Sequence, residues 1–243
     1  MFEATGLGPW ILVAVSFFSS ALTAILGLGG GIFLIALMPG LLPTAAVVPV
    51  HGVVQLASNA SRAFFAREHI AWQPLVPFAV GAVFGAAVGS QVLVQLPERW
   101  LTLLLGGFIL IVTWTPLGKL RLPGRFLTIG AVQTFVSLFV GAAGPLVSPL
   151  LVREGYDHHR VVATHGAVMT LLHALKTVTF VALGFSFARW APLIAAMVLA
   201  VTAGSWAGNR VRLGLPQAPL RTAFKVLLTV LAARLLLRFW TGA

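Results

Sequence analysis

No cysteine occurs among the 243 residues of this chain. Disulfide bonds, thiolate metal sites, iron–sulfur clusters and cysteine nucleophiles are therefore excluded. Acidic residues are also scarce, with five Asp and Glu against 16 Lys and Arg. All five lie in loops or near the ends of apolar segments: Glu3, Glu68, Glu98, Glu154 and Asp157. This distribution argues against a cation pump built on membrane-buried carboxylates.

Charged residues make up only 9% of the chain, whereas hydrophobic residues make up 59%. A soluble domain of this length does not need so much apolar material, so the composition predicts an integral membrane protein made of helices. The cations lie mostly between apolar segments, where they are typical of topology signals and anionic-lipid contacts; we expect no nucleic-acid partner. The P-loop, HExxH and GxSxG motifs are absent, so we expect neither an enzyme nor a cofactor.

The chain reads as an internal duplication with an offset of 114 residues. The matched pairs include Gly27 with Gly141, Gly30 with Gly144, His51-Gly52 with His165-Gly166 and, after a short insertion, Gly85 with Gly204 and Gly89 with Gly208. An ordered series of this kind predicts two homologous repeats, residues 1–120 and 121–243, within one membrane domain.

Each repeat begins with a long apolar segment that is interrupted by glycine, at residues 10–42 and 126–152. Three apolar stretches of spanning length follow in each half, at 45–66, 72–96 and 98–117, then at 160–184, 189–213 and 218–240. The predicted fold is therefore an all-α, polytopic bundle of two repeats, each with one glycine-broken helix and three transmembrane helices.

The interrupted segments leave two topologies open. If each crosses the membrane once, the halves are parallel and the loop cations divide six against six. If each is re-entrant, the halves are inverted and nine cations share one side, leaving Arg99, Arg189 and Arg238 on the other. The nine are Arg67, Lys119, Arg121, Arg125, Arg153, Arg160, Arg210, Arg212 and Arg221. Because cytoplasmic loops collect Lys and Arg, the re-entrant, inverted arrangement is favoured.

Glycines also recur at four-residue spacing in the helices that follow the seams, as Gly81, Gly85 and Gly89 and as Gly204 and Gly208. Small residues at this spacing allow two helix backbones to approach closely. We therefore expect these two helices to pack tightly against neighbours.

The glycine breaks themselves are the first candidate binding elements. Gly29, Gly30 and Gly31 lie in the first break, and Gly144 lies in the second, next to Pro145. Irregular backbone at membrane depth is tolerated where it lines a cavity, and a half-helix that restarts there directs free N–H groups towards an anion. The alternative is that these glycines only permit close helix packing.

Two polar seams within apolar helices are the second candidate element. Positions i, i+4, i+8 and i+11 fall within roughly an 80° arc of a helix, so each seam lies on one face. The first seam is His51, Gln55, Asn59 and Arg62, and the second is His165, Met169, His173 and Lys176. Donors at membrane depth usually face a partner, a cavity or a substrate path. The seams therefore predict two walls of one electropositive cavity for an anion.

The two basic residues of the seams differ in their expected depth. Lys176 is followed by a long apolar run and is the residue we expect most strongly to face an anion, with a carbonyl-paired lysine as the alternative. Arg62 lies close to Arg67 and Glu68, so a headgroup contact is as reasonable as a substrate contact. His51 and His165 could donate to an oxyanion or carry a coupling proton, or could simply bond a neighbouring carbonyl.

The run Leu26 to Leu34, the loop with Pro43 and the stretch Ala45 to Val48 that leads into the seamed helix resemble the TauE/SafE family of sulfite exporters. A degenerate copy of the glycine motif at Gly141 to Pro145 is also similar to that family. The resemblance implies a secondary transporter of small sulfur-containing anions, such as sulfite or organosulfonates, in a bacterial inner membrane. This chain departs from the usual pattern at His51, His165 and Gly144-Pro145.

We therefore expect a multi-pass secondary transporter, most simply an exporter, whose partners are a small anionic substrate and the lipid bilayer. An anion channel and a transporter of another small oxyanion are the alternatives, followed by a membrane enzyme or scaffold. A homodimer is left open, and no metal site is expected.

Overall fold

A computed structural model describes residues 6–26, 29–95, 97–115, 124–142, 144–210 and 217–241. This part of the chain forms ten α-helices and no β-strand, which confirms the predicted all-α class. The helices are α1 (Leu7–Leu26), α2 (Gly30–Leu37), α3 (Thr44–Phe65), α4 (Leu75–Gln95), α5 (Glu98–Trp114), α6 (Arg125–Val140), α7 (Ser148–Arg153), α8 (His158–Ala182), α9 (Ala191–Arg210) and α10 (Gln217–Thr241). The predicted repeat boundary at 120/121 lies outside the described residues, as do Gly27, Lys119, Arg121 and Arg212.

Four of these helices are long and apolar enough to cross a membrane by length and composition: α1, α4, α8 and the segment Ala188–Gly208, which contains most of α9. The helices α3 and α10 are as long but carry more polar and basic side chains, such as the seam of α3. Large apolar side chains of the outer helices are exposed, among them Trp10, Phe84 and Trp240. An exposed apolar exterior fits a bilayer, where lipid tails cover these side chains.

The first broken segment doubles back on itself. The start of α2 packs beside the middle of α1, because a Cβ at Gly30 would collide with the carbonyl of Ser19 and with Thr23. Further along, a Cβ at Gly8 would lie 3.8 Å from the Leu41 side chain, so the segment ends beside the point where α1 began. The two arms of the first segment therefore form a hairpin.

The second broken segment ends near its own start in the same way. The Arg125 guanidinium, at the first residue of α6, donates to the Glu154 carboxylate, the residue that follows α7, over 2.8 Å. Both residues lie at the surface, so this ion pair adds little stability. The ion pair does show that the two ends of the second broken segment lie next to each other.

Each hairpin is packed against a helix of the other half through the expected glycines. Gly81 and Gly85 of α4 lie directly on the backbone of α6 at Leu127 and Ala131. Gly204 of α9 lies in the same way on the backbone of α1 at Phe17. Any Cβ at these glycines would collide with a carbonyl, so the prediction of close helix packing is confirmed.

The two seamed helices, α3 and α8, pack against each other along the centre of the molecule and run in opposite directions. Gly52 of α3 faces Lys176 of α8, while Gly166 of α8 faces Ala63 of α3. Gly52 corresponds to Gly166 by the offset of 114, and Lys176 corresponds to Arg62, the neighbour of Ala63. The offset therefore exchanges the two contacts to within one residue. Such an exchange is the relation expected of a two-fold axis that crosses the α3–α8 interface.

The outer pair of helices, α5 and α10, is also antiparallel. Trp114, the last residue of α5, donates its indole N–H to Thr229 over 3.0 Å, while Trp100 near the start of α5 packs on Phe239. The described helices therefore form a bundle with α3 and α8 at its centre and the two hairpins beside them.

Candidate substrate site

A cavity of about 40 Å³, measured as the space open to the centre of a water molecule, lies between α3, α8 and the two glycine breaks. A single water needs about 10–15 Å³ on this measure, so the cavity has room for roughly three waters. The lining residues are Thr23, Gly29, Gly31, Ile32, His51, Gln55, Asn59, Arg62, Ala142, Gly144, Pro145, His165, Met169 and His173. The two seams and the two breaks therefore meet at one place.

Ten of the twelve residues predicted from the sequence line this cavity, and Gly30 and Lys176 do not. Gly30 is buried against α1, where a side chain has no room. Its role is packing, which is the alternative that the sequence left open for the breaks.

Arg62 is buried, with 2% of its surface exposed, and it lines the cavity. One terminal nitrogen of the guanidinium donates to Asn59 Oδ1 over 3.1 Å, and the other donates to Ser58 Oγ over 3.3 Å. Of the two contacts that the sequence left open for Arg62, its burial argues against the one with lipid headgroups. The chain beyond α3 folds back over α8, where the Ala71 amide donates to Thr164 Oγ1 over 2.9 Å, and this closes the surface above Arg62.

Lys176 is also fully buried, but it lies behind the cavity wall. Its ammonium donates to the carbonyl of Gly141 over 2.7 Å, at the point where α6 ends. A Cβ at Gly52 would lie 2.8 Å from Lys176 Cε, so the small residue at that position makes room for the lysine stem. Lys176 thus supports the second break, in the carbonyl-paired arrangement that the sequence gave as the alternative.

His51 and His165 make the same contact in the two halves. His51 Nε2 bonds the carbonyl of Gly31 at 2.9 Å, and His165 Nε2 bonds the carbonyl of Gly144 at 3.2 Å. Because a carbonyl only accepts, Nε2 must carry the hydrogen in both rings. In the neutral form each Nδ1 then holds a lone pair, and both Nδ1 atoms are buried with no hydrogen-bond partner in the described part of the chain.

The remaining seam residues organise the wall between the histidines and Arg62. The ring of His173 packs edge-on against His51, with 6.1 Å between centroids. Asn59 donates its amide to the carbonyl of Gln55 over 2.7 Å, which leaves its oxygen for Arg62. Met169 receives a hydrogen bond from Gln133 on its sulfur at 3.3 Å.

The two breaks differ in how the chain restarts. Gly29 and Gly141 both have positive φ angles, +104° and +70°, which non-glycine residues rarely adopt. After the first break, α2 begins at once and runs for eight residues. After the second, a short 3₁₀ turn at Gly144–Leu146 precedes the six-residue α7. Among the described residues, the second break therefore restarts through a 3₁₀ turn that contains Pro145, whereas the first break restarts directly as an α-helix.

No carboxylate lines the cavity, and no Asp or Glu is among the buried residues of the described chain. At the helix end beyond the cavity, Asp157 accepts from the Arg160 amide over 2.9 Å, and this bond lowers the pKa of its carboxyl. Because no carboxylate of the described residues pairs with it, the buried guanidinium of Arg62 gives the lining of this cavity a positive charge.

The two ends of the α3–α8 pair are unequal. At one end, which we call the basic end because Arg67, Arg125 and Arg160 lie there, Ala63, Ala163 and neighbouring apolar residues pack closely. At the opposite end a second cavity, of about 300 Å³, lies between the start of α3 and the end of α8. This second cavity is lined mainly by apolar residues, including Val48, Pro49, Leu138, Phe180 and Phe185.

Sequence reasoning missed four residues of the first cavity: Thr23, Ile32, Ala142 and Pro145. Thr23 could have been found, because Ser16, Ser19, Ser20 and Thr23 form a polar stripe at helical spacing on α1. Ile32 and Ala142 carry no such signal. Their place in the lining depends on how α2 and the second break cross α3.

Comparison with known proteins now identifies the family. The family model "Sulfite exporter TauE/SafE" matches residues 12–235, which is nearly the whole chain. The chain belongs to the TauE/SafE family. Its members are membrane transporters and not enzymes, which confirms both expectations from the sequence. The chain is also similar to "Probable inner membrane transporter protein TsaS" from Comamonas testosteroni, with 27% identity over 184 residues, 71% of this chain and 75% of that protein. No solved structure gives a significant match.

Proposed function

We propose that this TauE/SafE protein is a secondary transporter that exports a small sulfur-containing anion, sulfite or a short organosulfonate, across a bacterial inner membrane. The observation that carries the proposal is Arg62, a buried cation that lines a cavity between the two glycine breaks and has no carboxylate partner among the described residues. A cation left uncompensated at membrane depth favours a negatively charged ligand. The printed names of the family and of the relative agree in class with this assignment.

The size of the cavity favours the smallest members of this substrate class. Space for roughly three waters suits an ion of four or five heavy atoms, such as sulfite, better than a long organic chain. Arg62 supplies the charged donor group, and the start of α2 adds the positive end of a helix dipole. Because His51 and His165 hold carbonyls through their N–H groups, they would donate to an anion only when doubly protonated.

For the topology we propose two inverted repeats, with the basic end in the cytoplasm. Eight parallel spans would make α3 and α8 parallel, and α5 and α10 as well, whereas both pairs are antiparallel. The doubling back of both broken segments supports the re-entrant alternative. Basic residues gather in cytoplasmic loops, which supports the orientation.

Alternating access would then involve the two unequal ends of the α3–α8 pair. The close packing at the basic end supports a site that is shut off from the cytoplasm in this conformation. The apolar cavity at the opposite end supports a path on that side, separated from the site by His51, His173 and the Lys176–Gly141 contact. Release of the Ala71–Thr164 contact would open the cytoplasmic side.

The test is flux of radiolabelled sulfite in proteoliposomes that contain the purified protein. We expect saturable uptake and trans-stimulation by unlabelled sulfite, and loss of both in Arg62→Gln. Arg67→Gln is the matched control, because Arg67 lies outside the cavity, over the ring of Phe64. Flux that rises linearly with sulfite and shows no trans-stimulation would favour a channel. Absence of sulfite flux in the wild type would contradict the proposal.

A further inference from the structure

The buried guanidinium of Arg62 needs compensation, because an isolated ion is costly to place in a low-dielectric interior. Most buried arginines meet this need with a carboxylate. Arg62 instead donates to two neutral oxygens, Asn59 Oδ1 and Ser58 Oγ. Among the described residues these two oxygens are the acceptors that hold the guanidinium, and Nε is buried without a partner.

Ser58 is the first member of a chain of three buried hydroxyls. Ser58 Oγ lies 2.9 Å from Ser20 Oγ, and Ser20 Oγ lies 2.7 Å from Ser205 Oγ. The three serines are at most 1% exposed and belong to three different helices, α3, α1 and α9. The chain therefore joins Arg62 to the first hairpin and to a helix of the second half.

The guanidinium favours one direction of hydrogen bonding along this chain. Since Arg62 has only donors, Ser58 must accept from it, and its own hydrogen can then be donated to Ser20, which in turn can donate to Ser205. Each hydroxyl so aligned directs its oxygen lone pairs towards the cation. Hydrogen bonds in such a series polarise one another, which strengthens the bond at the charged end.

The second half lacks this arrangement. By the offset of 114, Ser58 corresponds to Leu172 and Ser20 to Thr134, and by the match of Gly204 with Gly85, Ser205 corresponds to Ala86. Lys176, the counterpart of Arg62, bonds a backbone carbonyl instead. The serine chain is therefore tied to Arg62 and is not a general feature of the repeat.

We propose that Ser20, Ser58 and Ser205 are positioning residues that hold and solvate the Arg62 guanidinium with neutral oxygens, so that its charge stays available for the anionic substrate. The inference rests on the proposed function and adds a determinant of anion selectivity to it. A carboxylate in the place of Ser58 would be an internal anion. It would satisfy Arg62 and exclude the substrate.

Sulfite binding to the purified full-length protein, measured by calorimetry, tests this role. We expect Ser58→Ala to weaken sulfite affinity about 10-fold, the loss typical of one hydrogen bond to a charged group. Ser58→Asp should weaken it about 100-fold or more, because two like charges would share the site. Ser20→Thr, which keeps the hydroxyl and copies Thr134, should stay within about 3-fold of wild type, while Ser20→Ala should not.

Ser61→Ala is the matched control. Ser61 neighbours Arg62 on the same helix, but its hydroxyl bonds only the carbonyl of Ser58. We expect its sulfite affinity to equal that of the wild type. If Ser58→Asp binds sulfite as tightly as Ser61→Ala does, the inference is wrong, whereas a wild type that binds no sulfite contradicts the proposed function instead.

A second readout does not depend on the anion. Ser58→Asp should raise the melting temperature of the anion-free protein, and it should do so only while Arg62 is present. In an Arg62→Gln background the same substitution should lower the melting temperature, since the carboxylate would then be buried without a partner. Equal shifts in both backgrounds would overturn the inference, because a serine with a purely packing role has no reason to sense Arg62.

Discussion

Arg62 and Lys176 occupy the same position in the two halves of the chain, and both are buried, yet only Arg62 lines the cavity. The difference arises one helical turn earlier. Arg62 is held along its own helix by Ser58 and Asn59, whereas Lys176 follows Leu172 and reaches across to the carbonyl of Gly141. The comparison shows that two helices with the same polar spacing each bury a cation, while the local neighbours of each cation decide which one lines the cavity.

The largest expected effect is at Arg62. Arg62→Gln removes the charge but keeps a shorter, polar amide, and we expect sulfite transport to fall about 100-fold or more, as for other buried charged contacts. The melting temperature should change little or rise, because a buried unpaired charge is removed. Initial rates in proteoliposomes, with melting temperature beside them, measure both. Transport within 3-fold of wild type, on the order of 0.7 kcal/mol, would remove Arg62 from the site.

Lys176 should show the opposite pattern. Lys176→Met keeps the apolar stem but leaves the Gly141 carbonyl without its donor, so we expect a loss of about 1–3 kcal/mol in unfolding free energy. Sulfite affinity of the folded protein should stay within about 3-fold of wild type. Thermal unfolding and calorimetry check the two parts. Lost affinity with unchanged stability would restore Lys176 as the anion-facing cation that the sequence suggested.

The glycines Gly52 and Gly166, which lie at the contact between α3 and α8, sharpen the contrast. Gly166→Ala places a Cβ 3.2 Å from the backbone nitrogen of Ala63, which cannot move alone, so we expect a loss of about 1–3 kcal/mol from overpacking. Gly52→Ala meets only the end of the Lys176 side chain, which can shift. We therefore expect Gly52→Ala to cost less and to depend on Lys176. Thermal unfolding of both variants, alone and with Lys176→Met, tests this ranking.

The smallest effect concerns how the two central helices begin. The first helical turn of α8 is capped by Asp157, whereas α3 follows Pro43 without a side-chain cap. Because the Arg160 amide lowers the pKa of Asp157, its stabilising contribution is complete above the ordinary carboxyl pKa and is lost as pH falls through the lowered value. Asp157→Asn should keep the cap and remove this pH dependence, seen as a flatter melting temperature at acidic pH. An unchanged pH profile would contradict the assignment.

Much of the fold could be predicted from the sequence, because single residues mark where helices begin and end and which face of a helix is polar. The predicted stretch 45–66 corresponds to α3, Thr44–Phe65, because Pro43 marks its start and a charged loop follows its end. The seam at 51, 55, 59 and 62 faces one cavity because helical spacing alone fixes that face. The ends of α3 and the face on which its polar residues lie were therefore predictable.

Contacts between segments could not be predicted in this way. The depth of Arg62 depends on the chain at Arg67–His69 and beyond folding back onto α8, and the partner of Lys176 depends on where α6 ends. The second break also restarts through a 3₁₀ turn at Gly144–Leu146 before α7 begins. These features follow from the crossing of distant helices, which spacing along the chain does not encode.

The glycine contacts of α1 with α9 and of α4 with α6 have a consequence for any moving unit. The hairpin of the first half packs against α9 of the second half, and the hairpin of the second half packs against α4 of the first half. Backbones that touch through glycine cannot slide apart without opening a void between them. A rigid body that keeps these contacts must then carry helices from both halves, and a cut between α5 and α6 would divide the chain into two fragments that each lack the surface they fold against.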